Sequence, residues 1–249
     1  MTDTKKRRWL IAASAVGLLA VVGLIVGLTT SYLTDRDAND NVFALGNVQL
    51  TLTEEHYPEQ AQDRILAPKA YIPKDPVIVN TGNNDEYVFL KVTLPLESVT
   101  IVDETTHKPK DGGKVLREVF NLLSDDAAHK TAGFSGAHAV EDIGELNYDS
   151  HWSVLSGEED LSNQTHTYLF GYRQMLDVGS QTTALFDRLQ IRNVLEGDLL
   201  PEQLQRVEIA AYGIQKEELE GWVTVADPDH VTDAELKGIF DIYAGQEGS

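Results

Sequence analysis

The sequence predicts an all-β protein: one antiparallel β-sandwich over residues 32–249, preceded by a cleavable hydrophobic leader over residues 1–31. A partly helical insertion over 103–150 and a short C-terminal helix complete the expected outline. Three observations carry this reading. Short apolar/polar alternations are separated by Gly, Asn and Pro turn chemistry, with no βαβ rhythm. An uncharged run from Trp9 to Leu28 follows Lys5-Lys6-Arg7-Arg8, the pattern of an export signal. The chain has no cysteine, so a core of ordinary size must hold the domain together.

At about 1.5 Å per residue, the Trp9–Leu28 run is long enough to span roughly 30 Å of hydrocarbon. Thr29 and Ser31 then place small residues at the −3 and −1 positions of a signal-peptidase site, which makes Tyr32 the first mature residue. Two outcomes are open. Cleavage after Ser31 frees a secreted chain; retention leaves a transmembrane helix that anchors the domain at the cell surface. Gly17, Gly23 and Gly27 weaken the helix and suit a transient signal.

The full-chain net charge is −20, and loss of the leader's four basic residues and one acid takes the remainder to about −23. Nucleic acid is therefore an expected non-partner, because phosphate binding needs clustered Lys and Arg. The membrane and the signal peptidase are expected as transient contacts during export.

Along the mature chain, Phe43, Leu45, Val48, Leu50 and Leu52 lie in an alternating strand with one apolar face in its second half. Pro58, Pro68 and Pro73 punctuate an extended connection. Residues 76–96 read as two strands around Asn80-Thr81-Gly82-Asn83-Asn84-Asp85, a hairpin ending at Pro95. Val115, Leu116, Val119, Phe120, Leu122 and Leu123 fall at helical spacing inside the insertion. Strands are expected again at 152–155, 165–175, 182–189 and 207–215. Thr232 and Glu235 form a capping box for a helix with Leu236, Ile239, Phe240 and Tyr243 along one stripe, followed by a fraying tail over 244–249.

Several of these segments resemble the TasA/camelysin family, proteins of Gram-positive bacteria exported with the alternate, SipW-type signal peptide. The resemblance rests on Tyr32, Thr34-Asp35, Asn41, Phe43 and Gly46 after the cut; on Asp75-Pro76, Asn80-Thr81-Gly82 and Tyr87-Val88; on Trp152, Tyr168 to Tyr172, Leu176, Gly179 and Thr183-x-Leu185-Phe186; and on Ala211-Tyr212-Gly213-Ile214-Gln215. Val178 stands where the family usually has proline, and 103–150 has no counterpart. The resemblance implies a jelly-roll-like sandwich outside the cell. It also implies a role in biofilm extracellular matrix, through fibres in which one subunit's N-terminal strand adds to the next. Residues 32–53 suit such a donor strand, and the competing reading is an edge strand of their own domain.

The chemistry of an enzyme is not indicated. Camelysin relatives have been classed as metallopeptidases, but no His-Glu-x-x-His is present and no two of the seven histidines lie three or four apart. His151 and His166 are the pair able to meet across strands; each reads as a surface or turn residue. No metal site and no cofactor are expected. Asp35-x-Asp37-x-Asn39-x-Asn41 lacks the Gly and Glu of a calcium loop, so only weak calcium binding there or at Glu158-Glu159-Asp160 is expected. Trp152, Tyr168, Phe170 and Tyr172 suit a core better than a sugar platform. The leading expectation is a non-enzymatic surface or matrix protein that self-associates; the alternatives are a surface binding module displaying 103–150 and, last, a peptidase.

Overall fold

The computed structural model describes residues 50–53, 67–110, 113–125, 130–131, 144–199, 207–219 and 221–247. Its strands are β1 (Leu50–Thr53), β2 (Tyr71–Pro73), β3 (Val77–Asn80), β4 (Glu86–Val99), β5 (Val115–Glu118), β6 (Phe120–Leu123), β7 (Lys130–Thr131), β8 (Leu146–Asn147), β9 (Trp152–Asp160), β10 (Thr165–Tyr172), β11 (Arg188–Ile191) and β12 (Glu208–Gln215). A 3₁₀ turn (Lys216–Leu219) follows, and then α1 (Asp233–Glu247), the one α-helix among the described residues. The leader, the cleavage residues Thr29, Ser31 and Tyr32, and the strand residues Phe43, Leu45 and Val48 lie outside the described residues. Among those described, no helix is long and apolar enough to cross a membrane.

The strands form two five-stranded sheets and a two-stranded ribbon, and nearly every pairing is antiparallel. The first sheet runs β12-β4-β10-β9, with β5 continuing beside the far end of β4; the second runs β2-β11-β6-β8-β7. Among the described residues, only β6 and β8 pair in parallel, at Leu122 and Leu146. Strand β4 is the spine. Leu90 pairs with Phe170 on one edge and Ala211 on the other, which fixes β4 at the centre. The strand does not stop at Pro95 as expected. Pro95 faces Thr165 at the end of the β10 ladder, and from Leu96 onward β4 pairs with β5. A residue without an N–H is tolerated where the chain changes neighbours.

Period-2 geometry then explains the burial of β4. Val88, Leu90, Val92 and Leu94 point into the main core with Phe120, Leu122, Tyr168, Phe170 and Phe186. Tyr87 and Phe89 point to the opposite face, where α1 covers them with Leu236, Ile239, Phe240 and Tyr243. Further along the same face Lys91, whose ammonium still reaches over the Phe240 ring, and Thr93 are half-exposed. The β9–β10 register skips Leu155, opposing Ser156 and Val154 to Leu169 and Phe170, and this bulge turns Leu155 toward the helix.

The expected capping box is in place. Thr232 Oγ1 accepts the Glu235 N–H at 3.3 Å, and Glu235 Oε2 accepts the Thr232 N–H at 2.8 Å. The Thr232 hydroxyl and the Ala226 and Thr232 amides hold the Glu235 carboxyl below its ordinary value of 4.5. A depressed folded-state value means the contribution is present above that value and lost as pH falls through the folded one. Thr232→Ala is expected to cost about 1 kcal/mol near neutral pH, read by chemical denaturation. The helix itself continues through Ala244 to Glu247, past the expected fraying point.

Four expectations are corrected. Residues 115–123 are not helical: they form β5 and β6, broken at Val119. Phe120 and Leu122 alternate inward with Asn121 and Leu123 in β6, so a period of two, not 3.6, governs them. Nor is 103–150 a peripheral insertion, because β6 sits between β11 and β8, and Phe120, Leu122, Leu146 and Tyr148 belong to the main core. Finally, β3 and β4 are not a hairpin. The Asn80 side chain, fully buried, donates to Asn84 O and Leu176 O and accepts Gly82 N–H, building a corner that sends the two strands to different sheets. The strand expected over 182–189 is shorter and later, at β11; Leu185 and Phe186 instead plug the core as the chain crosses between sheets.

Candidate functional site

Two features stand out: the edge on which β1 lies, and a charged cluster in the core. Strand β1 pairs with β3 through Leu50↔Asn80, Thr51↔Val79, Leu52↔Ile78 and Thr53↔Val77. Leu50 and Leu52 pack, half-buried, against the main core, while Thr51 faces solvent. The opposite edge of β3 is fixed independently. Val79 bridges Gln181; Ile78 N–H donates to Thr182 Oγ1 at 3.0 Å and Ile78 O accepts Thr182 N–H at 2.9 Å. Asn80 N–H donates to Ser180 O, and Asn80 O accepts Gly179 N–H, both at 2.9 Å. These bonds hold β3 to the body whether or not β1 is in place. The sequence between β1 and β2 carries Pro58 and Pro68 in a stretch of seventeen residues, long enough to let β1 depart without dragging β2. Of the proposed donor residues, Leu50 and Leu52 are therefore found on one face of one strand, pairing within their own chain.

The second feature escaped the sequence reading. Glu118 at the end of β5 and His166 in β10 are both fully buried, with Glu118 Oε1 2.5 Å from His166 Nδ1. Tyr168 Oη donates to the same Oε1 at 2.5 Å, and Gly144 N–H donates to Oε2 at 2.5 Å. Burial and the neighbouring Glu118 push the Tyr168 hydroxyl far above its ordinary range, so it stays a donor. Gly144 is required there, since a Cβ would run into the backbone oxygen of Phe120. Only the alternation of Thr165, His166, Thr167 and Tyr168 gave a hint that His166 faces inward.

His166 is thus a core residue, not the surface histidine expected, and it does not meet His151. In the β9–β10 register His166 opposes Glu159, whereas His151 precedes Trp152 at the other end of the hairpin, opposite Tyr172. There His151 Nδ1 lies 2.8 Å from Asp149 Oδ1, which also accepts the Thr183 hydroxyl at 2.8 Å. Glu158, Glu159 and Asp160 end β9. Asp160 closes the turn into β10: the Ser162 hydroxyl foremost, then the Asn163 N–H at 3.0 Å and side-chain amide and the Ser162 N–H at 3.0 Å, all donating to it, bring its carboxyl down to about 2. Among the described residues, no three His, Asp or Glu side chains converge as metal ligands do. Trp152, Tyr168, Phe170 and Tyr172 all lie in the main core.

These features define a class: a β-sandwich with an N-terminal edge strand and a C-terminal helix closing the outer face of one sheet. Comparison with known protein families, characterised proteins and solved structures finds no match to this chain.

Proposed function

We propose that the chain is an exported, non-enzymatic structural protein of the cell surface or extracellular matrix, which self-associates by passing its N-terminal strand to a neighbouring copy. The observation that carries this reading is the ledge formed by β3. It keeps its own hydrogen bonds to 179–182 and offers its other edge to a four-residue strand whose apolar face is Leu50 and Leu52. A strand held by one edge ladder and two half-buried leucines can be replaced by the same segment of another copy with identical register, because main-chain bonds supply the affinity and alternate side chains select the alignment. The basic-apolar leader and the Thr29-x-Ser31 pattern support export, and the resemblance of 41–48 and 211–215 to TasA/camelysin proteins supports a matrix role and a jelly-roll-like connectivity.

The direct test is the N-terminus of protein recovered from culture, followed by sedimentation of that protein over a wide concentration range. The expected result is Tyr32 as first residue and concentration-dependent oligomers that vanish when residues 32–53 are deleted. An intact leader in the membrane fraction, or a mature chain that stays monomeric throughout, overturns the proposal.

A further inference from the structure

We infer that Glu158 bars the outer edge of β9 to a second copy of the chain, and so steers self-association to the β3 edge. The inference rests on the proposed strand exchange and deepens it, by naming the residue that selects which edge is used.

In the first sheet β9 and β12 are the outer strands, and among the described residues no ladder continues beyond either. An outer strand presents a row of main-chain groups that templates pairing with another chain. The two halves of β9 meet this hazard differently. The first half is covered by its own chain. Asp149 O accepts Trp152 N–H at 3.1 Å, Tyr148 Oη accepts Val154 N–H at 3.4 Å, and Asp233 Oδ1 accepts the Ser153 hydroxyl at 2.8 Å. The second half, 156–160, has β10 alone as a paired neighbour among the described strands.

Glu158 stands exposed at the middle of that second half. Antiparallel pairing of 156–160 with the same residues of another copy sets Glu158 against Glu158, Gly157 against Glu159 and Ser156 against Asp160. Side chains directly opposite lie about 5 Å apart, where like charges repel. Sliding the copies by one step of the pleat, to set Glu158 against Ser156, brings Val154 under the partner strand. Its N–H is already taken by Tyr148.

The outer face carries the same design across the sheet. Glu208, Thr93, Thr167 and Glu158 are successive partners on β12, β4, β10 and β9, and the two threonine hydroxyls bond at 2.9 Å. The row is β-forming in its middle and carboxylate at both ends. Joining β9 of one copy to β12 of the next with these rows aligned sets Glu158 against Glu208. The β3 edge has no such bar. Its strand is Val77-Ile78-Val79-Asn80, and β1 brings Leu50-Thr51-Leu52-Thr53, with no charge on either side.

Charge reversal tests this in the chain from Tyr32 onward carrying Leu50→Asp and Leu52→Asp, which removes the proposed donor. This parent, or its Glu158→Lys form, sets like charges together and should sediment as monomer when alone. An equimolar mixture sets Lys against Glu and should pair at least about tenfold more tightly than either chain alone. Glu196→Lys makes the same change of net charge in an exposed turn, and its mixture with the parent should gain nothing. A Glu158→Lys mixture that sediments as its components do, or no better than the Glu196→Lys mixture, overturns the inference. If the two aspartates prevent folding, the same mixtures are made with β1 intact and read as mass gained over the components. A wild-type chain that never assembles overturns strand exchange instead, and the Glu158 comparison is still read.

Discussion

Phe240→Ala is expected to lower folding stability by about 3–5 kcal/mol and the thermal midpoint by roughly 10 °C. The ring lies in the middle of the stripe by which α1 covers the first sheet. Its centroid is 5.2 Å from that of Phe89, 5.9 Å from Tyr212 and 5.7 Å from Tyr243, and the Lys91 ammonium sits over it at 5.3 Å. Truncation removes all of these contacts and leaves a void, because Leu236 and Ile239 are already committed to the same apolar layer. The helix's polar fastenings do not compensate. The Arg173–Asp233 pair at 2.7 Å joins the helix to the body with partly exposed side chains, the Lys237–Asp241 pair at 2.7 Å lies within the helix and is exposed, and such pairs contribute well under about 1 kcal/mol. Lys237→Ala is the matched control, with an expected shift within about 1–2 °C. A Phe240→Ala midpoint no lower than that of Lys237→Ala would show that α1 is not fastened by its apolar stripe. Loosening the helix also uncovers Tyr87, Phe89, Leu155, Leu169 and Ile214, so the variant should bind hydrophobic dyes before it unfolds.

How much of this was legible in the sequence follows from the range of the forces involved. The C-terminal helix is encoded locally: the Thr232–Glu235 box and the 236-239-240-243 stripe sit within a dozen residues, and the structure places both as read. The all-β class was legible for the same reason, since alternation in 86–94, 165–172 and 208–215 is a period-2 signal within each strand. Partnering was not. Asn80 to Asp85 has the residues of a hairpin turn, but what decides between hairpin and corner is the buried Asn80 amide reaching Leu176 O, ninety-six positions away. In 115–123, the apolar spacing satisfies two periods at once. The strand form wins through ladders to β4 and β11 that no local window contains. The Glu118 cluster is the extreme case. Its members come from β5, β10 and the approach to β8, so the feature exists only once three non-adjacent segments have met.

The β1 edge is intermediate, and it carries the second large effect. Under the proposed strand exchange, replacing Leu50 and Leu52 together with aspartate is expected to abolish self-association of the chain from Tyr32 onward, a change from oligomer to monomer at all accessible concentrations. Both side chains lie on the face of β1 that packs against the core, and the ladder to β3 leaves that face inward in any copy that uses the same register. Two carboxylates there must be buried without partners or keep the strand out, and either course removes the donor. Thr51→Asp adds a charge to the exposed face of the same strand and should leave assembly nearly intact. The variants also separate the two roles open to β1. If the strand serves only its own domain, wild type, Thr51→Asp and the double variant are all monomers, and the double variant differs only in melting earlier. If it is exchanged between copies, the double variant loses assembly while β3, held by Thr182, Ser180 and Gly179, remains an acceptor. Adding excess unlabelled wild type should then bring labelled double variant into the oligomers as a terminal subunit, because a chain that cannot give its strand can still receive one. Failure of that capture, with wild-type assembly intact, would move the contact away from β3.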